Sequence, residues 1–235
     1  MNFLLKLANF LDGLATKLGR LAGWIIIPLI LVIMFDVITR KLDYTRLLFS
    51  DMSIASGGFS VSTILQDMQW HFHAIILMLT FGIAYLANAH VRVDIFREML
   101  SRRKQAWVEL IGLIVLALPF LFIMLQQAFE LTELAYHQGE GSESLTGIPK
   151  RWIIKSFVVI GFVLVLAAVF ATIFRLMGTL FGSPANQGIA NNGLSIFSDS
   201  NDELEKARLA AEAALQAEED ALVASAVAAK NAGGN

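Results

Sequence analysis

Long runs of apolar side chains, separated by shorter polar stretches, dominate the pattern of this chain. The runs cover about residues 21–39, 68–89, 107–129 and 153–175, and their charged side chains fall near the ends rather than the middles. Because a helix rises about 1.5 Å per residue, each run can cross a hydrocarbon layer roughly 30 Å thick. The pattern therefore predicts an all-α integral membrane protein with four transmembrane helices.

The first 20 residues repeat polar side chains every three or four positions. These polar positions are Asn2, Lys6, Asn9, Asp12, Thr16, Lys17 and Arg20. Such a stripe predicts an amphipathic helix that lies in the membrane interface. A basic start before an apolar run is also typical of a secretory signal, but no small-x-small cleavage pattern follows the first run. We therefore expect the first span to be retained.

The segments between the runs predict loops and kinks. Residues 42–69 and 130–151 contain glycines among polar residues and are expected to form loops on one side of the membrane. Pro28 and Pro119 lie inside the first and third runs, where a missing N–H predicts a helix kink.

The end of the chain differs from the membrane domain, residues 21–181. Residues 182–200 are rich in Gly, Asn and Ser, which is typical of a linker, and residues 201–235 are rich in Ala and Glu. Residues 200–203 read Ser-Asn-Asp-Glu, a capping-box pattern that predicts a soluble C-terminal helix. Residues 182–235 carry 3 Lys+Arg against 8 Asp+Glu, a net charge of -5, so we expect a solvated acidic tail.

Composition agrees with a membrane protein. Hydrophobic residues make up 56% of the chain and charged residues 16%, which gives more apolar surface than a soluble protein of 235 residues could bury. The chain has no cysteine, so disulfides and thiolate metal sites are excluded. No basic groove for a nucleic acid is indicated, and no nucleic-acid partner is expected.

The distribution of Lys and Arg predicts the orientation. Nine lie on the side of the two termini: Lys6, Lys17, Arg20, Arg92, Arg97, Arg102, Arg103, Lys104 and Arg175. Six lie on the opposite side: Arg40, Lys41, Arg46, Lys150, Arg151 and Lys155. The excess places both termini in the cytoplasm. Trp24, Trp70 and Trp107, with Arg102, Arg103 and Lys104, are expected to anchor the spans at the lipid–water interface.

Ionisable and polar groups near the spans have structural explanations. Asp36 and Arg40 are four residues apart, which predicts an ion pair on one helical face. Lys155 is expected to extend towards the headgroups, and Gln126 and Asn88 to bond a neighbouring helix.

Candidate chemistry is sparse. His71 and His90 are about 28 Å apart on a helix and cannot share a haem or a metal. We find no pattern for catalysis, so an enzyme is not expected, and no cofactor is expected. An autonomous homo-oligomeric channel or carrier, and a haem-bearing membrane anchor of an oxidoreductase, remain as alternatives.

Four short motifs occur in a fixed order along the spans. They are Leu65–His71 (LQDMQWH), His90–Asp94 (HVRVD), Gly139–Ser144 (GEGSES) and Gly147–Lys155 (GIPKRWIIK). In this order and four-span context, the chain resembles the small membrane subunit, of the DctQ type, of tripartite ATP-independent periplasmic (TRAP) transporters. The likeness covers about residues 20–180.

The resemblance implies an accessory or scaffold subunit of a sodium-driven transporter for small carboxylates. Its implied partners are a large multi-span TRAP membrane subunit, a periplasmic solute-binding protein and membrane lipids. His90, Arg92 and Asp94 match one family motif, and Pro149, Arg151 and Trp152 match a second. Structural or subunit-contact roles are implied for these six residues.

Overall fold

The computed structural model describes residues 2–42, 48–49, 52, 60–89, 100–144, 146–194 and 209. The helices are α1 (Asn2–Gly23), α2 (Ile26–Lys41), α3 (Val61–Leu86), α4 (Arg102–Gly112), α5 (Leu118–His137), α6 (Trp152–Phe181) and α7 (Pro184–Asn192). A π-helical segment, Leu113–Ala117, joins α4 to α5. All of these elements belong to one compact unit, Met1–Leu194, and a second unit comprises Ser195–Asn235.

Four helical stretches within the described residues are long and apolar enough to cross a membrane. They are Asn2–Lys41, Val61–Leu86, Arg102–His137 and Trp152–Phe181. The expectation of an all-α membrane protein with four transmembrane helices is confirmed.

Pro28 explains why the first stretch is divided into α1 and α2. Proline has no N–H, so it cannot donate to the carbonyl of Trp24 one turn earlier. The N–H of Ile27 donates to that carbonyl instead, at 3.2 Å, and the N–H of Trp24 donates to the carbonyl of Leu21 at 3.1 Å. These tighter three-residue bonds form a short turn at residues 24–25, close to the predicted kink.

Pro119 has a different effect in the third stretch. The preceding segment, Leu113–Ala117, is π-helical, and the N–H of Leu118 donates to the carbonyl of Leu113 five residues earlier. Such a segment takes up one extra residue without ending the helix. The predicted irregularity at Pro119 is therefore present as a π-helical segment between α4 and α5.

The fourth transmembrane helix, α6, lies at the centre of the bundle, and α1, α3, α4, α5 and α7 pack against it. Glycines bring the helices close together. A Cβ on Gly82 of α3 would lie 3.0 Å from the carbonyl oxygen of Leu164, and one on Gly161 of α6 would lie 3.0 Å from Met78. Small residues at such crossings are typical of membrane helix pairs.

The bundle has two polar ends. The contacts of Gly161 with Met78 and of Gly82 with Leu164 show that α3 and α6 run parallel. The end that contains Asp36, Asp67 and Arg151 is called the loop end below. The opposite end, which contains the start of α1 and the end of α6, is called the termini end.

The helices extend beyond the predicted spans. Helix α3 begins at Val61 rather than at residue 68, and α5 continues to His137 through part of the predicted loop. Each extension has a tertiary contact: the N–H of Ser60, just before α3, donates to the carbonyl of Thr146 at 3.0 Å, and Tyr136 near the end of α5 packs edge-on against Trp152. Propensity and composition are weak guides where such contacts exist.

The predicted linker, residues 182–200, also contains a helix. Helix α7 has Pro184 in its first turn, an arrangement that suits a helix start, and buries Ala190 against Gly178 of α6. Residues Pro184–Asn192 of the predicted linker thus form a helix that packs against α6. The predicted C-terminal helix of residues 201–235 lies outside the described residues except at Leu209.

Candidate functional site

The polar contacts that join helices are grouped at the two ends of the bundle. At the loop end, Asp36 of α2 is 6% exposed, and its Oδ1 accepts a hydrogen bond from Nε of Arg40 at 2.9 Å. The predicted ion pair is confirmed. The second oxygen, Oδ2, accepts a hydrogen bond from Nε2 of Gln69 at 3.1 Å, so the carboxylate also joins α2 to α3. Charge-assisted bonds of this kind stabilise a buried carboxylate.

Asp67 holds the Gly147–Lys155 motif against α3. Its Oδ2 accepts a hydrogen bond from the main-chain N–H of Ile148 at 2.9 Å. The carboxylate lies so close to Gly147 that a Cβ there would be 2.0 Å from Oδ2. A side chain at position 147 would push Asp67 or Ser142 aside, so glycine lets the main chain come close to Asp67 without displacing either. The path of the chain into Pro149 is set by this contact.

Arg151 joins the two ends of the α5–α6 loop. Its main-chain N–H donates to the carbonyl of Glu140 at 2.8 Å, and its Nη1 donates to Oε1 of Glu143 at 3.0 Å. Trp152 packs edge-on against Tyr136 of α5, with ring centroids 5.4 Å apart. Arg151 and Trp152 therefore fix this loop to the two helices that it connects.

Lys155 also takes part in this network. Its Nζ forms an ion pair with Glu140, which the α5–α6 loop brings back to the start of α6. The extension of Lys155 towards the headgroups stays a prediction. The exposed side chain of Gln126 bonds Oε1 of Glu130 in its own helix at 3.0 Å, rather than a neighbouring helix as predicted.

An open cleft of about 380 Å³ lies between the start of α3 and the α5–α6 loop. Its walls include Asp67, Trp70, His71, Ser142 and Arg151. The cleft thus brings one residue of the second family motif, Arg151, next to the start of α3. Sequence reasoning missed this juxtaposition, although it singled out both segments.

At the termini end, Arg175 of α6 is buried and bonds three groups. Its Nη2 donates to Oδ2 of Asp12 at 2.5 Å and to Oδ1 of Asn9 at 3.1 Å, and its Nη1 donates to the carbonyl of Gly193 at 2.7 Å. Helix α6 continues beyond Arg175 to Phe181, and Arg175 joins α1 and the end of α7 to α6. The exit of the fourth span at Arg175 stays a prediction.

The His90–Asp94 motif, which contains His90, Arg92 and Asp94, lies outside the described residues. The turn that leads to it is described. Asn88 has a φ of 53°, its N–H donates to the carbonyl of Tyr85, and the N–H of Ala89 donates to the carbonyl of Ala84. This is the Schellman pattern, with Asn88 as the left-handed residue that ends α3.

The predicted interfacial anchors are exposed to different degrees. Trp24 and Trp70 are 71% and 75% exposed, and Arg102, Arg103 and Lys104 are exposed in the first turn of α4. Trp107 is partly covered, since its ring packs edge-on against Phe181 with centroids 5.6 Å apart. An anchoring role for these residues stays a prediction.

These features define a multi-pass membrane protein whose polar groups mainly join its own helices. A family model described as "Tripartite ATP-independent periplasmic transporters, DctQ component" matches residues 29–179. Because this match covers more than half of the chain, the chain belongs to the DctQ family and is a small subunit of a TRAP transporter, as the motifs indicated. This is a family of transporter subunits rather than of enzymes, and it works with a large membrane subunit and a periplasmic binding protein. No curated protein and no solved structure matches the chain.

Proposed function

We propose that this chain is the accessory, scaffold-type subunit of a sodium-driven transporter that takes up small carboxylates delivered by a periplasmic binding protein. In this proposal the large membrane subunit holds the sodium and substrate sites. The small subunit braces that partner in the bacterial inner membrane, with both termini in the cytoplasm. The loop end, with its cleft and the Pro149–Trp152 segment, then faces the periplasm.

The distribution of polar groups in the bundle carries this proposal. In the described part of the chain, the interhelical charge contacts lie at the two ends, around Asp36 and Arg151 at one and Arg175 at the other. Between these ends, α6 buries side chains such as Leu164 and Val169. A pathway for a charged solute usually requires ionisable groups inside the membrane, so this bundle is better suited to support than to conduction.

Hydroxyl groups within the spans fit the same interpretation. The Oγ1 of Thr172 donates to the carbonyl of Ala168 at 3.0 Å, and the Oγ1 of Thr80 donates to the carbonyl of Ile76 at 2.7 Å. These bonds stay within one helix and use the hydroxyl protons there, so neither hydroxyl needs a solute as its hydrogen-bond acceptor.

Reconstituted uptake tests the proposal. The chain alone, the large subunit of the same transporter alone, and both together are placed in vesicles with an inward sodium gradient and the binding protein outside. Radiolabelled dicarboxylates, oxo acids and sugar acids are supplied in turn. We expect the two subunits to purify together and to transport only in combination, with no uptake when the sodium gradient is removed.

The alternatives predict different results. Solute flux through the chain alone would contradict the scaffold role and favour an autonomous homo-oligomeric channel or carrier. A strong Soret band in the absorbance spectrum of the purified chain would favour the haem-bearing anchor. Uptake driven by a proton gradient without sodium would leave the scaffold role intact but overturn the proposed coupling ion.

A further inference from the structure

The surface of α1 that faces away from the bundle has an unusual composition. One face of the helix is buried against α3 and α6 through Leu5, Ala8, Ala15, Gly19 and Ala22. The remaining surface carries exposed basic and apolar side chains. The acidic side chain of α1, Asp12, is paired with Arg175 of α6. This outward surface is called the α1 outer face below.

The basic half of the α1 outer face consists of Lys6, Lys17 and Arg20, which are all exposed. At about 100° per residue these three positions lie within roughly 60° of one another around the helix. No ion pair of the three is present in the part of the chain that the structure describes. Among the described residues, these three cations therefore share one strip of the helix surface without a counter-charge.

Asp12 is the single acidic residue of α1, and it does not neutralise this strip. Its carboxylate is turned towards the bundle and paired with the buried guanidinium of Arg175 at 2.5 Å. The ion pair thus has two effects. It joins α1 to α6, and it removes the negative charge from the surface on which Lys6 and Lys17 lie.

The apolar half of the α1 outer face lies beside the basic half. It consists of Phe3, Phe10, Leu14 and Leu21, all exposed, with Phe3 and Phe10 at 74% and 66%. Adjacent basic and aromatic or aliphatic strips on one helix are typical of binding to a membrane surface, where acyl chains meet charged headgroups. Exposure of these four apolar side chains to water would be unfavourable, and an exposed apolar patch of this kind is typical of a membrane or protein interaction site.

We propose that the α1 outer face is a binding surface for anionic phospholipids. The phosphate headgroups pair with Lys6, Lys17 and Arg20, and the acyl chains cover Phe3, Phe10, Leu14 and Leu21. The Asp12–Arg175 ion pair keeps the surface selective for negative lipids by removing the one carboxylate of α1 from it. This lipid binding does not depend on sodium coupling, on the substrate or on the large subunit.

Spin-labelled lipids test the proposal on the full chain in vesicles. The fraction of motionally restricted label is compared for phosphatidylglycerol and phosphatidylcholine. Since one basic residue near an anionic surface strengthens binding roughly fivefold, we expect a preference for phosphatidylglycerol of at least about fivefold. The variant K6Q/K17Q/R20Q should reduce this preference to about twofold or less. High salt should weaken the preference of the unmodified chain.

The matched control is R102Q/R103Q/K104Q, which removes the same number of charges from the exposed start of α4. We expect it to keep most of the preference. Equal losses in the two triple variants would mean that overall charge attracts the lipid, and the proposal would be overturned. Displacement of the bound lipid by excess soluble glycerol phosphate would also overturn it, since the site would then recognise free phosphate.

A second measurement does not depend on variants. A photoactivatable phosphatidylglycerol is crosslinked to the unmodified chain, and the labelled peptides are identified by mass spectrometry. Adducts within Asn2–Gly23 support the proposal, and adducts confined to the start of α4 contradict it.

Discussion

The carboxylate of Asp67 and the main-chain N–H of Ile148 are joined by a 2.9 Å hydrogen bond across 81 positions of sequence. This contact links the start of the second transmembrane helix to the loop that precedes the fourth. It therefore determines where Pro149, Arg151 and Trp152 stand relative to the cleft at the loop end.

Replacing Asp67 tests this contact directly. Asp67→Ala leaves the N–H of Ile148 without its acceptor, and we expect a loss of about 1–3 kcal/mol in stability. Asp67→Asn keeps an acceptor oxygen and should lose less. The midpoint of thermal unfolding in detergent measures both effects. His73→Ala, at an exposed position of the same helix, is the control, and an equal shift in that variant would contradict the interpretation.

Gly147 should not tolerate even a methyl group. A Cβ at this position would lie 2.0 Å from Oδ2 of Asp67 and 2.5 Å from Oγ of Ser142. We expect Gly147→Ala to destabilise the protein by about 1–3 kcal/mol, the usual cost of overpacking. Gly141→Ala is the matched control, because no atom lies within 4 Å of the added methyl group. Equal unfolding midpoints for Gly147→Ala and Gly141→Ala would show that the loop adjusts to the added methyl group at little cost, which would contradict the prediction.

The Asp12–Arg175 pair should be energetically coupled. Arg175→Met leaves Asp12 partly buried without its cation, and we expect a loss of about 3–5 kcal/mol. Adding Asp12→Asn should recover part of this loss, which gives a coupling energy of about 1–3 kcal/mol in a double-mutant cycle. The exposed pair of Glu133 and His137 serves for comparison, with an expected contribution below about 1 kcal/mol. Additive effects at Asp12 and Arg175 would rule out a direct interaction.

Asn88 should be replaceable by glycine but not by alanine. Its φ of 53° costs an ordinary L-residue about 1–2 kcal/mol, and its buried Oδ1 has no hydrogen-bond partner among the described residues. Asn88→Gly should therefore equal or exceed the unmodified chain in thermal stability, whereas Asn88→Ala should be less stable. If alanine proved as stable as glycine, the left-handed turn at the end of α3 would have to be wrong.

The cysteine-free sequence allows a direct measurement of orientation. Single cysteines are placed at Glu143, in the exposed α5–α6 loop, and at Lys104, in the exposed start of α4. With both termini in the cytoplasm, an impermeant maleimide should label Glu143→Cys in cells with a permeabilised outer membrane. Lys104→Cys should react only after the inner membrane is opened. The reverse pattern would invert the proposed topology.

Local patterns in the sequence predicted local features of the structure. The apolar runs predicted four membrane-crossing helices, and the four-residue spacing of Asp36 and Arg40 predicted their ion pair. Both depend on residues that are close in the chain. The motif order, a longer-range signal, predicted the family.

Local sequence patterns could not predict the contacts between distant segments. Asp12 and Arg175 are 163 positions apart, and periodicity alone gives no reason to pair them. The ion pair of Lys155 with Glu140 was missed for the same reason, because local sequence patterns do not show the returning loop that provides Glu140. The composition of residues 182–200 predicted a linker, but Pro184–Asn192 forms α7, whose Ala190 packs against α6.

The π-helical segment Leu113–Ala117 has a consequence for how this protein can vary. The wide turn absorbs one surplus residue, so the residues after it keep the angular positions that they would have in an ordinary helix one residue shorter. Deleting a single amino acid within this stretch should therefore restore ordinary winding and leave Leu121 and Ala128 on the side of α5 that packs against α6. A deletion elsewhere in α5 would turn the following residues by about 100° and expose other side chains to lipid, so homologues that are one residue shorter should carry their gap at Leu113–Ala117.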